Sequence, residues 1–280
     1  MPTFPAPGPV PIRVDVPFGN LRVVAGERDD VVVTVLPTDP AKSGSVRAAE
    51  EVRVQRDGEA VEITYPGSWK QWVLPFAAGT ADVTVELPEG SDVRGKVGSF
   101  FAEGSLGTVE LTASAGDARV EEVDRIDLKV SAGNAVVGRT VDAADLRVSA
   151  GSVRIDEFTG EGSVRATNGT VTVGDVIGSL DVTGAHAEIA VSRVRGTLTA
   201  KSAHSGIRVN NVVSGSVTLS TSYGSIEVGV PEGTAAFLDV ASEHGAVRNQ
   251  LTPAAAPVEG EATAEVHAHT GYGEIIIRRP

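Results

Sequence analysis

The chain has 280 residues, no cysteine, 41% hydrophobic residues with only 4% aromatics, and a formal net charge of −13. The missing cysteines exclude disulfides, thiolate metal sites and thiol catalysis. The acidity argues against nucleic acid or an anionic membrane as partner, because phosphate contacts need a basic patch. With so few aromatics, Val, Leu, Ile and Ala must fill the core. The 32 glycines, set among Val, Thr and Ser, favour many short strands joined by tight turns.

The first residues, MPTFPAPGPVPI, have neither a basic start nor an apolar stretch and do not read as a signal peptide. No run of 18 apolar residues follows, so no membrane-spanning helix is expected. The expectation is a cytoplasmic protein, with the cell surface as the alternative. Residues 10–90 read as β: IRVDV (12–16), LRVVA (21–25), VVVTVL (31–36), VEITY (61–65) and ADVTVEL (81–87). Between them, polar Pro40 to Gln55 reads as a loop or a short helix. GSWKQWVLPF (67–76) gathers Trp69, Trp72 and Phe76, which form either the local core of a small β unit or an exposed interaction patch.

From residue 91 onward the chain repeats. LTASAGDARVE (111–121), LKVSAGNAVVG (128–138), LRVSAGSVRID (146–156) and VRATNGTVTVG (164–174) share one pattern of strand, turn and strand. One apolar position recurs at Ala118, Ala135, Val153, Val171, Ile189, Ile207, Ile226, Val247 and Ile275. The steps, by subtraction, are 17, 18, 18, 18, 18, 19, 21 and 28. A fixed period held over so many units signals a solenoid. The period is too short for a strand–helix–strand unit of about 30 residues. Apolar residues two apart, such as Leu146, Val148, Val153 and Ile155, point inward and their neighbours outward. A Gly before the second strand, as at 116, 133, 151, 169, 224, 245 and 273, suits a sharp corner; Ala187 and Ser205 take that place in two coils.

The predicted fold is all-β: a parallel β-solenoid, right-handed as parallel crossovers nearly always are, of about nine coils of ~18 residues. Residues 1–90 form an N-terminal β-rich cap over its open end, and residues 91–280 form the repeat domain. LTPAAAPVEGEATAE (251–265) reads as a surface loop. EIIIRRP (274–280) is expected to close the stack.

In such a fold, residues one period apart become lateral neighbours. One outward column reads Ala115, Ala132, Ala150, Asn168, His186, His204, Tyr223, His244 and Tyr272. From Asn168 onward it is a candidate binding strip, or else a stacking ladder that stabilises a corner. His186 and His204 would be nearest neighbours, yet no third metal ligand joins them. A second column reads Glu110, Asp127, Asp145, Ser163, Asp181, Thr199, Thr218 and Asp239. Beside it run Thr112, Lys129, Arg147, Arg165, Thr183, Lys201 and Ser220, so ion pairs such as Asp145 with Arg147 or Lys129 are expected on that face. His267 and His269 also point outward. Two His at this spacing can begin a metal site, and the sequence offers no evident partner for them.

No GxSxG, Walker loop, HExxH or dinucleotide fingerprint is present, and the acidic column does not resemble the facing carboxylates of a glycosidase. No catalytic residue, metal or cofactor is assigned. The SAGxxxV units at 114–120, 131–137 and 149–155 resemble a bacterial β-strand-repeat family of unknown function whose members are labelled putative adhesins. The resemblance spans roughly residues 10–280, including the LPEGS turn at Leu87 to Ser91. It implies a β-solenoid without a known enzyme activity. The expected role is a non-catalytic structural or interaction scaffold with a protein partner or a second copy of itself. A carbohydrate-binding or carbohydrate-cleaving β-helix is the alternative.

Overall fold

Short runs of Val, Ile and Thr, punctuated by glycine, have little to gain from a helix and much from a pleated surface. The computed structural model describes residues 1–66, 79–252 and 260–280, so Trp69, Trp72 and Phe76 lie outside the described residues. The chain forms two compact units, Met1–Val137 and Gly138–Pro280.

The first unit holds β1 (Thr3–Pro5), β2 (Pro11–Gly26), β3 (Asp30–Pro37), α1 (Ser43–Glu51), β4 (Arg53–Asp57), β5 (Ala60–Thr64), β6 (Ala81–Pro88), β7 (Asp92–Ala113) and β8 (Ala118–Ala132). Strand β2 is central. Its first half lies parallel between β5 and β7, with Ile12 level with Val61 and Val93. Its second half lies parallel between β6 and β7, with Leu21 level with Val83 and Phe100. Strand β7 in turn carries β8 in parallel, Leu111 beside Leu128. On the other flank the pairing becomes antiparallel: β3 on β6, β1 on β3 and β4 on β5. The segment from Pro40 to Gln55 is partly helical, as expected. Helix α1 packs on β3 and β6 and buries Ser45 and Ala48. The strand β4 that follows it is an addition to the expected elements.

The second unit holds most of β9 (Ala135–Phe158), then β10 (Glu161–Val176), β11 (Ser179–Val194), β12 (Thr197–Ser202), β13 (Ile207–Val212), β14 (Gly215–Tyr223), β15 (Ile226–Gly229), β16 (Thr234–His244), β17 (Val247–Asn249), β18 (Ala262–Tyr272) and β19 (Ile275–Arg278). Successive windings pair in parallel at the predicted offset. Val153 lies beside Val171, Val171 beside Ile189, and Ile189 beside Ile207. These four side chains are fully buried, as are Leu146, Ile155, Phe158, Val164, Val173 and Val176. The core is thus a set of aliphatic columns running along the stack, each layer about 4.8 Å from the next.

Two glycine columns permit this closeness. In the expected one, Gly169 has φ of 124°, in the region that side chains avoid. Ala187 stands in register with Gly169 and turns its methyl into the core, where it is fully buried. A second column, Gly160, Gly178, Gly196 and Gly215, adds to it. Each of the last three sits with its α-carbon pressed against the backbone of the glycine before it.

The winding order departs from the sequence order. Strands β14 and β15 pair with β18 and β19, and these pair on their far side with β16 and β17. The last winding is therefore inserted, and the winding at 234–249 is the outermost of the unit. The expectation that EIIIRRP closes the stack is overturned. The cause is apolarity. Ile275 and Ile277 of β19 are fully buried, and so are Val266 and Ala268 of β18. All three residues of β17, Val247, Arg248 and Asn249, are exposed. Level with Ile277 the outer strand carries Asn249, a polar side chain that would lose its water if that winding were the inner one.

A charged clasp fixes the inserted winding. Glu227 of β15 accepts hydrogen bonds from Arg278 of β19 at 2.7 Å and Arg208 of β13 at 2.9 Å. Arg278 first, and Arg208 second, hold its carboxyl below its usual value of 4.5. A depressed carboxylate stabilises the fold above its unfolded pKa, and this is lost as pH falls through the folded value. Urea midpoints taken from pH 7 down to pH 3 should therefore drop less steeply in Glu227→Gln than in the wild type. Equal slopes would show that the clasp contributes nothing.

Candidate functional site: a ladder of stacked rings

The outward column is a continuous stack. Consecutive parallel strands place equivalent side chains about one strand spacing apart, and rings at that distance pack face against face. His186 and His204 have ring centroids 4.7 Å apart and planes 9° apart. His204 stacks on Tyr223 at 5.4 Å, and Tyr223 on Tyr272 at 5.1 Å. Tyr272 stacks on His244 at 4.4 Å. The inserted winding reverses the last two members relative to the chain order, so that His244 is the terminal ring.

All five rings are exposed at their edges; Tyr223 and Tyr272 retain 52% and 50% of their accessible surface. Asn168 stands in register with His186 and extends the column by one polar side chain. It donates a long, 3.5 Å hydrogen bond to the Ser149 carbonyl. Beside the ladder lies a shallow, open depression of about 460 Å³, bordered by Ser220, Tyr223, Glu243, His269 and Tyr272. Between the rings its lining is made of small residues such as Thr221, Ser222, Ala241 and Gly271.

The charged columns are paired in part as expected: Arg147 bonds Asp145, whereas Lys129 reaches Asp127 and not Asp145. In the first unit Arg94 reaches Glu110 at 3.6 Å and Lys129 reaches Asp127 at 3.8 Å. In the second, Arg147 bonds Asp145 and Arg165 reaches the same carboxylate at 3.7 Å. These pairs are mostly solvated, and exposed pairs contribute about 0–1 kcal/mol each.

In chain order the acidic column has one further member after Asp239. That member is His267, which lies between Thr218 on one strand and Asp239 on the other. His267 Nε2 is 3.0 Å from Glu265 and Nδ1 is 3.3 Å from Asp239. Glu265 first, and Asp239 second, raise the imidazole above its usual 6.5. One further step of 28 residues along the column is the sequence signal that points to this group.

A parallel stack with aliphatic columns inside, paired charges outside and an exposed ring ladder on one side defines a β-solenoid-like repeat protein. Among the described residues, no helix is long and apolar enough to cross a membrane. The chain belongs to the Toastrack DUF4097 family, whose profile matches residues 12–278. Similar solved structures include a putative adhesin from Parabacteroides distasonis, at 14% identity over 98% of this chain and 95% of that one, with a TM-score of 0.41. A putative adhesin from Parabacteroides merdae is 12% identical over 100% of this chain and 95% of that one, TM-score 0.38. A putative cell adhesion protein from Clostridium sporogenes is 13% identical over 100% and 98%, TM-score 0.25. No curated protein matches the chain.

Proposed function

We propose that this protein is a non-catalytic interaction scaffold that engages a protein partner along the ring ladder. The observation that supports this reading is the unbroken exposed stack of His186, His204, Tyr223, Tyr272 and His244. Each ring is held by its neighbours, so little side-chain freedom remains to be lost when a partner binds. Binding surfaces that are already ordered lose less affinity to that cost. Tyr edges also offer apolar area with a hydroxyl at the rim, the mix that interface cores favour.

The stacking bears against the carbohydrate alternative. A sugar packs on the flat face of a ring, and within the ladder those faces are covered by other rings. Only the terminal rings, His186 and His244, keep a face that no ring of the ladder covers. The same reading takes the coil as right-handed, the hand of nearly all parallel crossovers.

The test is a His204→Ala/Tyr223→Ala double variant. Losing three stacked pairs should lower stability by about 1.5–4.5 kcal/mol, which circular dichroism and a thermal melt will register without loss of the β signal. Partners recovered from the native cell by the wild type should be lost with the variant. Partners retained by the folded variant would remove the ladder from the interface. Saturable binding on a glycan array, abolished in the variant, would replace the proposal by the carbohydrate reading.

A further inference from the structure

We infer that the outermost winding of the second unit is a docking edge for an extended, basic segment of a partner protein, which adds to it as one more β-strand. This edge uses backbone groups and not the ladder rings, and it does not rest on the scaffold reading.

The backbone comes first. Among the described residues β16 pairs only with β18, and β17 only with β19. In a parallel ladder the peptide groups of alternate residues point to opposite flanks. Alternate groups between Thr234 and His244 therefore face away from β18 with no strand to meet them. A free row of N–H and C=O groups is complementary to the same row on another strand.

The core points the same way. Leu238 and Val240 turn into the stack but remain only half-buried. Level with Leu238 in the next two windings are Val266 and Val217, and level with Val240 are Ala268 and Leu219. All four are fully buried. The two aliphatic columns thus end without a covering layer. A strand with apolar residues at alternate positions would supply one.

Charge selects the occupant. The outward side chains of β16 include Asp239 and Glu243, and no Lys or Arg lies between Thr234 and His244. Asp239 faces only the imidazoles of His267 and His269. Glu243 has no hydrogen-bond or ion-pair partner among the described residues. Lys or Arg at the outward positions of an added strand would stand beside these carboxylates, in the cross-strand geometry where opposite charges attract. A second copy of this chain fits worse. A two-fold axis at Leu238, Asp239 or Val240 gives the self-pairings that overlap most of β16. Each sets an acidic side chain directly or diagonally against another, and each copy brings a net charge of −13. The occupant is therefore a strand that alternates basic and apolar residues.

The test uses the full-length protein and a fluorescent peptide of about nine residues, a strand's length, that alternates Lys and Val. Anisotropy should show saturable binding that weakens as salt rises. The same peptide with Glu for every Lys should not bind. Asp239→Lys/Glu243→Lys should weaken the Lys–Val peptide at least about tenfold and bind the Glu–Val peptide instead. Asp181→Lys/Glu188→Lys makes the same change of net charge on the inner strand β11 and should leave both affinities unchanged. No saturable binding, equal binding of the two peptides by the wild type, or an equal loss in the β11 variant would overturn the proposal. Hydrogen exchange of the wild type gives a readout that needs no variant: the Lys–Val peptide should slow the amides of β16 and not those of β10. Protection confined to other strands would also overturn it. So would a dimer in light scattering whose β16 amides are protected without peptide, since the edge would then belong to a second copy.

Discussion

Replacing Gly178 with alanine is expected to destabilise the second unit by about 3 kcal/mol, the upper range for forcing an extra carbon into a close-packed site. Gly178 stacks on Gly160, and a Cβ built on it falls far inside the contact distance of the Gly160 carbonyl oxygen and 2.6 Å from the Gly160 nitrogen. The obstacle is backbone, which cannot swing aside as a side-chain tip does. Relief would require the two windings to separate, and that would lengthen the neighbouring ladder hydrogen bonds, including Ser179 N to Gly160 O at 2.8 Å. The contact recurs one layer on, where Gly196 presses on Gly178, so the strain would pass along the column. Gly8→Ala provides the contrast: nothing lies within 4 Å of its added Cβ, and a change within about 0.5 kcal/mol is expected. Urea unfolding of the two variants checks both. A Gly178→Ala midpoint equal to the wild type would mean that the windings are not packed at this spacing.

That glycine column also shows how legibility varies along the chain. The SAG corner stands out because its neighbours repeat with it. Gly160, Gly178, Gly196 and Gly215 recur at nearly the same period, but they sit in the variable turn between coils, where nothing else marks them. The aliphatic columns are legible because a residue buried in each layer must be apolar in each layer: Val153, Val171, Ile189 and Ile207 are all buried where the period places them. The ring ladder is legible as a column for the same reason. Its geometry is not, because a period says which side chains are neighbours and not how their planes lie. Strand β4 leaves no mark in the sequence because Arg53 to Asp57, which among the described residues pairs only with β5, carries no alternating apolar pattern.

The winding order cannot be read from periodicity at all. Parallel columns match equally well whether 234–249 or 262–278 lies next to β14, since both windings carry the same pattern. What separates them is the balance of apolar residues: β19 is Ile275-Ile276-Ile277-Arg278, whereas β17 is Val247-Arg248-Asn249. Between Thr234 and His244 the outermost strand has no Pro and no Lys, the residues that usually blunt an exposed edge.

The order can be tested by two small substitutions whose expected effects differ. Ile275 lies between Ile226 and Val247 and is fully buried, so Ile275→Ala removes three carbons from a site closed on both sides. The expected loss is about 2–5 kcal/mol, the range for emptying a buried aliphatic position. Val247 retains 42% of its surface, and a cavity opened toward solvent costs little beyond the transfer of two methyl groups, so Val247→Ala should lose about 1 kcal/mol or less. If the windings followed chain order, the ranking would invert: Val247 would lie between Ile226 and Ile275, and Ile275 would become the half-exposed end. Denaturant midpoints for the two variants therefore decide between the two stackings of one sequence. Hydrogen exchange separates the same two stackings in the unaltered protein, because an inserted β19 must protect its amides longer than β17, and faster exchange in β19 would restore the sequential order.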